Sequence, residues 1–214
     1  GGQLVESRTT DVTRRRGNGW INESMYEKSK WYFKRECYDQ DLDRGIIPLL
    51  FGSVDRNFYH ESVEKEYDIF CSYGHTNEGL RSETLNLCTK LKDEGYNVIL
   101  DKGLPYNEFK EKLKSSWIAI DAWGGGDCCA RLFEILANNT MAMTQEYNIQ
   151  FPMDFTDGEN IVKYKTIEEF ETKIRRYLDD KDEMKRISEN GYQHLKNYHT
   201  AQKRVEYILG IINE

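Results

Sequence analysis

The sequence lacks four things whose absence narrows its function. It has no apolar run long enough for a membrane: the longest, around 46–51, falls far short of the roughly 20 residues that a spanning helix needs, so no membrane span is expected. It has no C-x-x-C pair: Cys37, Cys71, Cys88, Cys128 and Cys129 are an odd set without the spacing of a disulfide framework or a zinc knuckle, which fits a reducing, cytoplasmic setting. Its four histidines, His60, His75, His194 and His199, show no H-x-x-x-H or Cys–His spacing, so no metal centre and no activated thiol is predicted. It has no excess of positive charge, with 30 Lys and Arg against 37 Asp and Glu and a net charge of −7. Nonspecific attraction of the whole molecule to nucleic acid or an anionic membrane is therefore not expected, and any phosphate must be held by local donors. An initiator Met, a signal peptide, internal repeats and low-complexity tracts are also missing, and the first two point to a processed product or a fragment.

What remains is 214 residues, 38% apolar and 13% aromatic, enough for one well-packed domain with a small extension. Residues 1–60 read as an N-terminal arm, with Arg14, Arg15 and Arg16 solvated, followed by the hinge or remnant of a preceding domain. Within them, helical spacing of Met25, Lys28, Trp31, Tyr32 and Arg35 predicts a helix over 22–38, and 46–51 is extended. From Tyr67 onward short apolar runs alternate with amphipathic stretches, which predicts an α/β, Rossmann-like parallel sheet over 61–214. The expected strands are 68–72, 96–100, 117–121, 140–144 and 160–163. Leu80, Thr84, Leu87 and Leu91 share one helical face between them, as do Leu132, Ile135 and Leu136.

The last 50 residues read as a helical cap. Thr166 with Glu169, Asp180 with Glu183, and Thr200 each mark a helix start. The stripes that follow are Phe170, Ile174 and Tyr177 in the first helix and Met184, Ile187 and Leu195 in the second. Ala201, Val205, Ile208, Leu209 and Ile212 should line the inner face of the third. Gly191 should weaken or bend the second.

The segment 123–134, Trp-Gly-Gly-Gly-Asp-Cys-Cys-Ala-Arg-Leu-Phe-Glu, stands between an expected strand and a helix. Gly124, Gly125 and Gly126 allow close backbone approach, and the N–H groups at the following helix start suit a phosphate. Arg131 offers a fork of donors, and Glu134, one turn later on the same face, can accept from a ribose diol. On spacing alone a tight turn and an intrahelical Arg–Glu pair account for the same residues. Cys128 and Cys129 stand where a thiolate is favoured, although small-residue packing is the simpler role. Asp41 and Asp43 fit a metal-binding D-x-D spacing weakly, since Glu36, Asp39 and Gln40 before them read as a solvated stretch.

These residues also carry a resemblance. The run from Arg131 to Ala137, followed by Met141 to Thr144, resembles the donor-site helix of GT-B glycosyltransferases. It continues through Gln145-Glu146-Tyr147, the stretch 155–162 and Tyr198-His199-Thr200. Upstream, Tyr32 to Glu36, Pro48 to Gly52 and Tyr67 to Phe70 look like the same group-1 family, in the branch named for spore-maturation proteins. The resemblance implies the C-terminal, donor-binding half of an enzyme that transfers a sugar from a nucleoside-diphosphate sugar to an acceptor of unknown kind, with no obligatory cofactor or metal. It implies Glu134 on the ribose hydroxyls, Arg131 near the diphosphate, and Ser72, Gly74 and His75 in the facing loop, with Arg81 as a further phosphate-side cation and Asp127 beside the donor. The superfamily's other acidic residue, eight positions before the ribose glutamate, is here Gly126, and Asn139 replaces the usual glycine after the helix. A separate domain or chain would have to supply the acceptor side.

Two readings compete. Residues 67–73, with Ser115-Ser116-Trp117, also resemble the opening strand of TIR signalling modules, some of which hydrolyse NAD, and Glu134 would then be the catalytic glutamate. A non-catalytic nucleotide-binding or interaction module is the other.

Overall fold

The structure, a computed structural model, describes residues 21–54, 58, 63–73, 79–124 and 126–214. Strand β1 (Phe33–Lys34) pairs in parallel with β2 (Ile47–Pro48) in a small separate sheet, preceded by the short helix α1 (Glu23–Tyr26) and joined by α2 (Asp39–Leu42). The main sheet contains β3 (Tyr67–Phe70), β4 (Val98–Ile99), β5 (Ser116–Asp121), β6 (Met141–Gln145) and β7 (Val162–Tyr164). All are parallel, in the order β4-β3-β5-β6-β7. The helices are α3 (Leu80–Asp93), α4 (Tyr106–Lys114), α5 (Ala130–Ala137), α6 (Ile167–Leu178), α7 (Lys181–Tyr198) and α8 (Ala201–Ile212).

Both faces of the sheet are covered, which is why its central strands β5 and β6 carry the apolar runs 117–120 and 141–143. On one face Ile69, Ile118, Ile120, Met143 and Tyr164 pack against Leu87 and Leu91 of α3 and Phe170 and Ile174 of α6. On the other, Phe70, Ala119 and Ala142 meet Leu113 of α4, Leu132, Phe133 and Leu136 of α5, and Leu195 of α7. The Lys65 ammonium, with three donors, takes the carbonyls of Lys114, Ser116 and Asn139, each at 2.9 Å. It thereby pins the N-terminal ends of the strands, opposite the end considered below. Asn139 adopts the left-handed conformation (φ 50°) in the turn before β6.

Three sequence expectations are corrected. The helix over 22–38 is confined to α1. Beyond it the chain is extended, because Ile47 N–H and Leu49 N–H donate to the Tyr32 and Lys34 carbonyls at 2.9 Å each, and the buried Lys34 ammonium pairs with Asp41 at 2.5 Å. Long-range pairing of an aromatic-rich stretch prevails there over helical spacing. That ion pair also takes Asp41 out of any metal-binding role. Secondly, α7 runs unbroken through Gly191: Met184 and Ile187 pack into one core and Leu195 into the other. A Cβ at 191 would collide with the Asn160 carbonyl and Leu136, so the glycine permits close packing rather than a bend.

The third correction concerns α8, which is capped as expected by Thr200, whose hydroxyl accepts from Lys203 N–H at 3.1 Å. Its Val205 and Leu209 are 54% and 47% exposed, and the buried residue is Arg204, at 8%. The Arg204 guanidinium donates to the Phe51 carbonyl at 3.0 Å, to the Tyr198 carbonyl at 3.3 Å and to His199 Nδ1. Satisfying that charge against backbone turns the polar face inward, and it stitches α8 to the segment before the sheet, where Ser53 and Thr200 also bridge.

Candidate active site

In this strand order β3 and β5 are neighbours whose following helices leave on opposite faces, α3 on one and α5 on the other. A crevice opens outside the carboxyl ends of two such strands. The predicted residues Ser72, Arg81, Gly124, Gly126, Asp127, Arg131 and Glu134 all belong to the segments that leave these two strands. Gly74, Gly125 and His75 lie outside the described residues.

The two arginines brace the site reciprocally. Arg131, on the β5 side, donates to the Ser72 carbonyl after β3 at 2.8 Å, and its guanidinium lies 4.6 Å from the Phe109 ring. Arg81, on the β3 side, donates to the Trp123 carbonyl after β5 at 3.2 Å and lies 4.5 Å from the Tyr73 ring. Gly124 admits it, for a Cβ there would stand 2.8 Å from the Arg81 guanidinium. Arg81 Nε is buried without a hydrogen-bond partner. Stacking and a carbonyl acceptor use only part of each guanidinium's five donors. Glu134 Oε2 lies 3.5 Å from Arg131 Nε with both side chains partly exposed, and burial raises its carboxyl while Arg131 lowers it. The Ser72 hydroxyl is turned away, donating to the Asp101 carbonyl at 2.5 Å.

Sequence reasoning missed two acids. Asp121, the last residue of β5, is buried and accepts from the Thr144 hydroxyl at 2.9 Å. Burial pushes its carboxyl up to about 6, against the Thr144 bond and the charges of Arg131 and Arg81. It is the counter-charge beneath the two arginines, and only its strand-end position marks it in the sequence. Glu36, read as solvated, is in fact largely buried: its carboxylate accepts from Asp127 N–H at 2.9 Å and lies against Gly126. Nothing in the spacing links residues 91 positions apart. Cys128 is buried, which pushes its thiol well above its ordinary value and removes it as a thiolate.

Among the described residues no cluster of three or more His, Cys, Asp or Glu is placed to hold a metal ion, and no helix is long and apolar enough to cross a membrane.

A family model described as glycosyl transferase-like matches residues 60–210. The match runs through the strand on which the TIR reading rests and through the capped helices after Thr166, which that reading leaves unexplained. No curated protein matches the sequence. Among solved structures, the chain is similar to an S. aureus TarM mutant in complex with fondaparinux, alpha-GlcNAc-glycerol and UDP, with TM-score 0.65 and 11% identity over 88% of this chain and 45% of that one. It is similar to sucrose-phosphate synthase from Thermosynechococcus elongatus, with TM-score 0.63 and 12% identity over 98% of this chain and 65% of that one. It is also similar to the pneumococcal O-GlcNAc transferase GtfA in complex with UDP and GlcNAc, with TM-score 0.57 and 10% identity over 96% and 50% of the two chains. The chain thus spans about half to two thirds of the length of these structures.

Proposed function

Because the chain belongs to the glycosyl transferase-like family and has the Rossmann-like fold of a GT-B C-terminal half, we propose that it binds the donor, a nucleoside-diphosphate sugar, in the crevice between β3 and β5. Residues 61–214 are the donor-binding domain in this reading, and residues 1–60 lead in from the half that binds the acceptor. The observation that carries it is the convergence of Arg81, Arg131 and Glu134 from both sides of the crevice, each side chain held by a contact across it or by its neighbour.

Glu134 accepts from the ribose hydroxyls, and Arg131 and Arg81 face the diphosphate. As the bond between the sugar and the diphosphate breaks, the departing group gathers negative charge. Fixed guanidinium groups favour that charge more than the ground state, and so lower the barrier. The acceptor, whose hydroxyl attacks the sugar carbon and loses its proton, is brought by a separate domain or chain, so turnover by this chain alone is weak or absent.

Calorimetric titration with UDP, GDP, ADP and NAD tests this. Binding of at least one nucleoside diphosphate in the micromolar-to-millimolar range is expected, and Glu134→Ala should weaken it about tenfold at unchanged thermal stability. Cleavage of NAD without binding of any nucleoside diphosphate would favour the TIR alternative, and binding of none of the four an interaction module.

A further inference from the structure

Glu36 stands in the turn after β1, in the segment before the main sheet, yet its carboxylate is planted at the mouth of α5. Oε2 accepts the Asp127 N–H at 2.9 Å, and the Cys128 N–H also points to the carboxylate. Two consecutive backbone N–H groups ahead of a helix form a concavity suited to an anion, and here a side chain of the same protein fills it. Room exists because residue 126 is a glycine: a Cβ there would stand 2.6 Å from Oε1, 2.7 Å from Cδ and 2.9 Å from Oε2.

The occupant is a poor one. The Glu36 side chain is only 13% exposed, Oε1 is buried without a hydrogen-bond partner, and the nearest cation, Arg35 Nε, is 3.4 Å from it. Burial raises the carboxyl, with the Asp127 and Cys128 N–H groups and Arg35 opposing and the Asp127 charge assisting. A buried acceptor left unsatisfied is costly, and the carboxylate regains its hydration when it leaves.

We propose that Glu36 is an internal stand-in for phosphate, so that a donor's diphosphate takes the Asp127 and Cys128 N–H groups only after Glu36 has withdrawn. This rests on the nucleotide-sugar reading above and adds regulation to the same site. The segment that carries Glu36 is held on both sides of it: Gln150 N–H donates to the Cys37 carbonyl at 2.6 Å, the Phe51 ring packs on Phe133 of α5, and Phe51 to Ser53 are tied to α8. With the flanking residues held, the Glu36 side chain itself opens or closes the nest by leaving or entering it.

The experiment titrates wild type, Glu36→Gln and Glu36→Ala with UDP, GDP, ADP and the corresponding bare nucleosides, with melting temperature as the folding control. Gln keeps the shape should Ala loosen the packing. Glu36→Ala, which empties the nest, is expected to bind the preferred nucleoside diphosphate about tenfold tighter, or about 1.4 kcal/mol, and Glu36→Gln, whose neutral amide can still accept the Asp127 N–H, to fall between it and the wild type, with nucleoside affinity unchanged in both. The amide resonances of Asp127 and Cys128 in the wild type are expected to move when the nucleotide is added. Equal or weaker binding by the variants overturns the proposal while leaving the donor-site reading intact. If none of the three proteins binds any nucleotide, both readings fall.

Discussion

The Arg131 guanidinium and the Ser72 carbonyl meet at 2.8 Å, which joins the first turn of α5 to the end of β3 across the line where the sheet's connections diverge. Arg81 makes the opposite crossing to Trp123. Each arginine is thus oriented by backbone of the neighbouring strand and backed by an aromatic ring, an arrangement in which a positive charge keeps its place while the ligand's charge changes.

Arg131→Ala should therefore act on diphosphate. Affinity for the preferred nucleoside diphosphate is expected to fall roughly 5- to 30-fold, or about 1–2 kcal/mol, while affinity for the bare nucleoside stays within twofold. Parallel titrations check it, and equal losses on both ligands would contradict the role given to Arg131.

Asp121 makes stability depend on pH with a defined sign. Its carboxyl stands at about 6 in the fold against an ordinary 3.8, so between these values the folded state holds a proton that the unfolded state releases. The contribution favours folding below about pH 4 and is lost as pH rises through about 6, a change on the order of 3 kcal/mol. Asp121→Asn keeps an acceptor for the Thr144 hydroxyl and removes the titration. Denaturant unfolding should show the variant gaining on the wild type by about 2–3 kcal/mol from pH 4 to pH 7. A constant difference would show that Asp121 is not the group responsible.

Gly191→Ala should destabilise, against the usual trend. In an exposed helix interior the change is worth up to about 1 kcal/mol in favour of alanine, but here the new methyl meets the Asn160 carbonyl and Leu136. Overpacking of this kind costs about 1–3 kcal/mol, and the melting temperature should fall. A rise would mean that α7 can slide away from the loop before β7.

Local signals were legible wherever the cause was local. Thr166, Asp180 and Thr200 cap their helices by accepting from the N–H three residues on. The five strands emerged close to their expected places because a sheet covered on both faces needs short, mainly apolar runs at its centre, as at 117–120 and 141–143. The region before Tyr67 was misread at 22–38, since its structure depends on pairing with β2 and on a buried Lys34–Asp41 contact that no periodicity reports. The inner face of α8 was misread for a related reason: an amphipathic stripe says which residues are apolar, but a buried guanidinium held by two backbone carbonyls and the His199 ring competes for the same surface.

At the candidate site, Arg131 and Glu134 were visible because one helical turn separates them, and the glycines because only they allow close approach. Sequence alone determined the alternation of strands and helices, the helix starts and the presence of a glycine-rich turn before α5, all of which follow from interactions between residues near in the chain. Tertiary structure alone decided that Arg81 crosses to Trp123, that Asp121 is stranded beneath two guanidinium groups, and that Glu36 enters the space left open at Gly126. Those contacts join residues tens of positions apart, and their energies come from burial and charge pairing that exist only once the chain has closed upon itself.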